Sequence, residues 1–196
     1  MAVVQIVLIF SNKHLNKEFY KIIRWTQKEV VMTKNGLNIL TLELNFFKRF
    51  FFRLFLKSWV ITKFFNHLGI EFILGKIEAL RYAHSAAYCG IIFPNDTEKD
   101  WINAGRVLER LWLTGTREGL SIQPVSATLL LKKICSEEPA FFTKSQTLLL
   151  TKSAHQIEKI FTIGKSERLM FIFRIGTSTS VAHRSLRKKP EIHFES

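Results

Sequence analysis

The chain has 196 residues, 47% of them hydrophobic, which bounds it to one domain, or one domain plus an extension, with an ordinary globular core. Its formal charge of +13 favours encounters with phosphates, anionic lipids or acidic partners. No helix-turn-helix, RNA-recognition or zinc-finger signature accompanies that charge, so nucleic acid is not an expected partner. Two cysteines, Cys89 and Cys135, stand far apart with no CxxC partner, which excludes a disulfide framework and a zinc site and points to a reducing, cytoplasmic location.

The opening run Ala2 to Phe10 reads as a strand or the start of a buried helix. It has no basic region before it and no small-residue cleavage site after it, so a signal peptide is not expected. It also falls short of the roughly 20 apolar residues that span a bilayer. Asn35-Gly36 signals a turn, and the alternation over Leu37 to Leu44 suits a strand. Eight of the 18 phenylalanines crowd between Phe46 and Phe65. The segment Asn45 to His67 predicts one helix stopped by Gly69, with Arg49, Arg53 and Lys57 as a basic stripe. Its favoured placement is the core or a dimer interface, with the charged stripe in water. Ile70 to Ser85 predicts a second helix with Glu71, Lys76 and Arg81 facing water, and Ala86 to Phe93 a core strand ended by Pro94.

Asp100 to Val125 carries the clearest pattern in the chain. Ala104, Val107, Leu108, Leu111 and Trp112 recur at helical spacing and predict one buried stripe. Thr97 and Asp100 are spaced as a capping pair, Gly119 supplies the left-handed stop, and Pro124 prevents any return to helix. Ser126 to Ile134 predicts a short helix, Ser145 to Ile163 a longer one stopped by Gly164, and Leu169 to Gly176 a strand rich in bulky apolar residues. His183 to Pro190 is a basic tail in which Arg184, Arg187, Lys188 and Lys189 crowd together. The six histidines are scattered, with no spacing that suits a metal, and no carboxylate pair or nucleophile motif stands out.

Three of these blocks carry a family resemblance. DWINAGRVLERLWLTGTREGLSIQPV over Asp100–Val125 resembles the long helix and flavin-facing turn of the nitroreductase family, the flavin mononucleotide (FMN)-dependent α+β oxidoreductases, and within it the divergent Acg-like branch. LMFIFRIG followed by HRSLRKKP resembles the late strand and basic tail of the same family, whose basic residues reach the FMN phosphate. IIRWTQKEVVMTKNGLNILTLEL, more weakly, resembles a segment of the same branch. The Arg-rich motif that usually opens family members is absent from the first hundred residues. The expected fold is therefore α+β, a small mostly antiparallel sheet flanked by helices, with the family's opening segment missing. Residues 1–18 are expected to be an unplaced extension and residues 19–196 the partial domain.

The resemblance implies an FMN-dependent oxidoreductase of nitroreductase type. A hydride from NAD(P)H would pass through the flavin to an electron-poor organic acceptor, in a homodimer. It implies that Gln123, Pro124, Val125 and Ser126 lie beside the flavin, with backbone N–H groups serving its O4 and N5 edge, and that Arg184, Ser185 and Arg187 contact the phosphate. By spacing alone Gln123–Ser126 is a proline-stopped helix exit, and by charge alone the tail is solvated. No catalytic side chain is assigned. The alternatives are a non-catalytic remnant of a flavin fold, or a basic protein of membrane surfaces or polyanions. The membrane surface is the weaker of the expected partners.

Overall fold

The computed structural model describes residues 2–164 and 166–178 and the single positions 183, 186 and 188. The chain divides into two compact units, one of Met1–Leu8 with Gly69–Ser178 and the other of Ile9–Leu68 with Thr179–Ser196. The division falls at 8/9 and 68/69 rather than at the expected 18/19, and cuts through the first helix, α1 (Ala2–Ser11). The opening run thus resolves as helix, with Val4, Val7 and Leu8 buried.

In the unit that begins at Ile9, α2 (Lys13–Ile22) is capped by Asn12, whose side chain accepts the N–H groups of His14 and Leu15 at 3.0 Å. A parallel pair of two-residue strands, β1 (Ile23–Arg24) and β2 (Leu37–Asn38), flanks α3 (Gln27–Thr33). Arg24 ties this hairpin-like excursion together, donating to Thr33 Oγ1 at 3.0 Å and to Asn35 Oδ1 at 2.7 Å. The strand expected over Leu37–Leu44 is only β2 followed by a 3-10 turn over Ile39–Leu42, because Asn38 accepts the Leu40 N–H and turns the chain.

The single helix expected over Asn45–His67 is two, α4 (Phe46–Lys57) and α5 (Trp59–Asn66). Ser58 between them is extended, at φ −118° and ψ 104°. The buried Thr62 hydroxyl donates across the break to the carbonyl of Phe55 and also to that of Ser58, which accepts the Thr62 N–H as well. Phe52 is the centre of an aromatic core here, its ring 6.3 Å from Phe10, 6.3 Å from Phe19 and 6.1 Å from Trp25.

In the other unit, α6 (Ile70–Ala83) follows Gly69, and its Gly75 lies against Val3 of α1. Lys76 and Arg81 face water as expected, but Glu71 is buried, while Ile73, Ile77 and Leu80 are exposed. Three antiparallel strands form the sheet, β3 (Ala87–Phe93), β4 (Ser121–Pro124) and β5 (Arg168–Gly176), in the order β3-β5-β4. The last strand in sequence is thus the central one. On β3 only Ile91 is fully buried, so the segment expected to be a core strand is an edge strand.

A bulge sets which face each β5 residue takes. Ile91 pairs with Phe171 and Ile92 with Leu169, which leaves Met170 as the extra residue. Met170 and Phe173 therefore join Ile91 and Ala104 of α7 (Glu98–Arg117) in one core cluster, while Ile172 joins Val125 and Ile157 in another. The second cluster is closed by α8 (Ala127–Glu137) through Leu129 and by α9 (Lys144–Ile160) through Ile157.

Both expected ends of α7 are present. Thr97 and Asp100 form a capping box, and Gly119, at φ +72°, completes a C-terminal motif in which Leu120 N–H donates to Gly115 C=O at 2.7 Å. The buried stripe is narrower than expected. Ala104 and Gly115 are buried, but Val107, Leu111 and Trp112 are 37%, 40% and 41% exposed. A sheet of three strands is too narrow to cover a stripe of that width. Gly115 sits where Ile122 of β4 approaches so closely that an added Cβ would lie 2.6 Å from Ile122 Cδ1. The architecture is α+β, helix-rich with a small antiparallel sheet. Among the described residues no helix is long and apolar enough to cross a membrane.

Candidate functional site

Strand order sets β4 antiparallel to β5, so the β4–α8 turn lies beside the middle of β5 and the outgoing end of β5 lies beside the start of β4. Ser121 pairs with Gly176, Ile122 with Ile175, Gln123 with Arg174 and Pro124 with Phe173. The chain therefore leaves β5 beside the start of β4, within two residue pairs of Gln123. The four turn residues expected at a ligand have different fates. Gln123 and Pro124 are exposed, whereas Val125 and Ser126 are each only 5% exposed.

The burial of Val125 and Ser126 follows from Pro124. Proline has no N–H, so the β4 ladder stops donating there, and the next groups take over. Val125 N–H donates to Ile172 C=O at 2.8 Å. Ile172 N–H donates to Ser126 Oγ at 2.8 Å, and the Ser126 hydroxyl donates back to Ile172 C=O at 3.0 Å. The Val125 N–H is thus committed to the sheet. Arg184, Ser185 and Arg187 lie outside the described residues.

The sequence reading missed Arg174. Its signal was a lone charge inside the apolar run LMFIFRIG. Arg174 is half-buried on the sheet face that also packs Tyr82 of α6. Its Nε donates to Gln123 Oε1 at 2.7 Å, and its Nη1 to Arg81 C=O at 3.1 Å and Ser85 Oγ at 3.4 Å. The guanidinium carbon lies 4.5 Å from the centre of the Tyr82 ring, a cation–π contact. Tyr88 O–H donates to Tyr82 C=O at 2.8 Å and closes the cluster on the β3 side. Among the described residues Arg174 Nη2 has no partner, so a cation on a fixed fork is available to an anion.

Burial raises the Tyr82 phenol above the usual tyrosine range, the Glu78 carboxylate adds to the rise, and the Arg174 charge opposes it. Folded Tyr82 therefore holds its proton more tightly than the unfolded chain does. The resulting stability is fully present below the unfolded value of about 10 and is lost as the pH rises through the folded value. Urea unfolding from about pH 9 to 11 is expected to show a falling midpoint, with Tyr82→Phe removing part of the fall. An unchanged pH profile in that variant would refute the assignment.

A second feature of this unit is a cleft of about 810 Å³ that includes Trp101, Lys132, Lys133, His155, Lys159 and Arg168. Much of its charge is already engaged. Lys132 pairs with Glu158 at 3.0 Å, Lys133 Nζ lies 4.4 Å from the centre of the Trp101 ring, and Trp101 Nε1 donates to Asp96 at 2.6 Å. Both cysteines are free thiols, Cys135 buried and Cys89 half-buried on β3. Among the described residues no three His, Cys, Asp or Glu side chains converge as a metal ion requires. Comparison of the chain with family models, with curated proteins and with solved structures gives no match.

Proposed function

We propose that the chain is an FMN-dependent oxidoreductase of nitroreductase type, taking hydride from NAD(P)H and passing it to an electron-poor organic acceptor as a homodimer. The observation that carries this reading is the register of β4 on β5. It sets Gln123 of the Gln-Pro turn against Arg174, two residues before the strand ends at Gly176 and the chain continues toward the basic segment His183–Pro190. The two strands that carry the turn and precede the tail on which the family resemblance rests are thus neighbours in one sheet.

The residues fit the cofactor in part. Gln123 lends its side-chain carbonyl to Arg174, and among the described residues its amide N–H groups and Arg174 Nη2 have no partner. These two side chains would hold the anionic or carbonyl edge of FMN, which when bound supplies the hydride chemistry. Tyr82 and Ser85 hold the Arg174 guanidinium in place, and with the cofactor bound it would supply a fixed positive charge for the negative charge that accumulates on reduction. The commitment of Val125 N–H and the Ser126 hydroxyl to Ile172 favours the second reading, a flavin-fold remnant that binds the cofactor weakly or not at all.

Visible absorbance after loading with FMN and desalting separates the two. The oxidoreductase reading expects a retained yellow spectrum, with at least about tenfold weaker binding in Arg174→Ala, in line with the loss of a charged hydrogen-bonding group. A folded protein that stays colourless overturns the flavin reading. Retention unchanged in Arg174→Ala overturns the placement.

A further inference from the structure

The phenylalanines of α4 face outward. Phe46, Phe47, Phe50 and Phe51 are 74%, 71%, 59% and 52% exposed, so of the expected placements, core or dimer interface, these rings do not take the first. They occupy two adjacent rows, 46 with 50 and 47 with 51, each four residues apart, so the four rings share one helix face. Phe52 and Leu56 turn the other way, into the aromatic core and into burial. The unit therefore has its core without these four rings. On α5, Val60 and Phe64 are 77% and 62% exposed and also four apart.

The charges around these rings have one sign. From Asn45 to Ile70 the chain contains no Asp or Glu. Lys48, Arg53, Lys57 and Lys63 are exposed, and none of them enters an ion pair among the described residues. Arg53 and Lys57 follow Phe46 and Phe50 along the helix as exposed cations on long apolar stems, the Arg53 guanidinium lying 5.6 Å from the centre of the Trp25 ring.

We propose that α4 and α5 form a docking element for an anionic lipid bilayer. The rings would enter the boundary between headgroups and acyl chains while the lysines and Arg53 meet lipid phosphates. The charge pattern selects this occupant. A second copy would set basic flank against basic flank, and an uncharged apolar groove would leave the cations without counter-charges. The rings pair edge-to-face, Phe46 with Phe47 at 5.8 Å and Phe50 with Phe51 at 5.7 Å, and so form a joined apolar surface of the kind that enters a bilayer boundary. With 12 and 8 residues the two helices lie on a bilayer and do not span it. The element lies in the unit that does not contain Arg174 and stands independently of the flavin reading.

Flotation with phosphatidylcholine vesicles, alone and mixed with phosphatidylglycerol, tests it. The full chain is expected to float with the mixed vesicles and about tenfold more weakly with phosphatidylcholine alone, as charge attraction and apolar insertion both contribute. The double variant Phe46→Ser/Phe47→Ser is expected to lose about tenfold in vesicle affinity while its circular dichroism and heparin retention stay unchanged, since both rings are exposed. Heparin or oligonucleotide retention without flotation overturns the proposal in favour of a soluble polyanion. A concentration-dependent dimer that the double variant abolishes, without flotation, overturns it in favour of a second copy. Flotation undiminished in the double variant overturns the role of the rings.

Discussion

Ile172→Ala is expected to lower the free energy of unfolding by about 2–5 kcal/mol, the range for emptying a fully buried large aliphatic position. Ile172 has no exposed surface and lies on the central strand, packed against Val125 and Ile157. The site cannot collapse easily, because the residue's own N–H and C=O are both held by the β4–α8 turn. Ile172→Val is expected to cost only about 0.5–1.5 kcal/mol, because the β-branched shape and most of the volume remain. Urea unfolding followed by circular dichroism reads both. Equal, small losses in the two variants would mean that the second cluster does not support the sheet.

Ser126→Ala is expected to cost about 1–3 kcal/mol, the penalty for leaving a buried polar group unpaired. The variant removes one hydroxyl but strands the Ile172 N–H, which donates to that oxygen at the point where Pro124 has ended the β4 ladder. Ser126→Thr keeps the hydroxyl but adds a methyl at a position 5% exposed, so it is expected to fall between alanine and wild type. The two sites share Ile172, so the Ile172→Ala/Ser126→Ala pair should lose less than the sum of the single losses. Hydrogen exchange at the Ile172 amide gives a second readout. Faster exchange in Ser126→Ala is expected, and an unchanged rate would refute the bond.

Much of the local structure was legible in the residues themselves. The capping box of Thr97 and Asp100, the left-handed Gly119 and the proline stop at Pro124 depend on contacts within a few residues, and each formed where the sequence placed it, as did the β5 strand, marked by its run of bulky apolar residues. The order of parts, long helix, turn, helices, strand and basic tail, was likewise readable, and the reading of FMN chemistry rests on it. Arg174 was not legible as a site residue, because its meaning lies in its pairing with Gln123, 51 residues away.

The direction each apolar face takes was decided only by the tertiary structure. Helical spacing marks the stripe Ala104–Trp112 as apolar, but the narrow sheet covers Ala104 and leaves Val107, Leu111 and Trp112 open. The Phe-rich segment has apolar residues around most of its circumference, so periodicity could not say which rings turn inward. The break at Ser58 and the aromatic cluster around Phe52 settled that, and left Phe46, Phe47, Phe50 and Phe51 outside. Val125 and Ser126 are buried and bonded to Ile172 for a similar reason. Proline removes one donor from the ladder, and a buried strand draws replacements from whichever neighbouring groups the fold brings within reach.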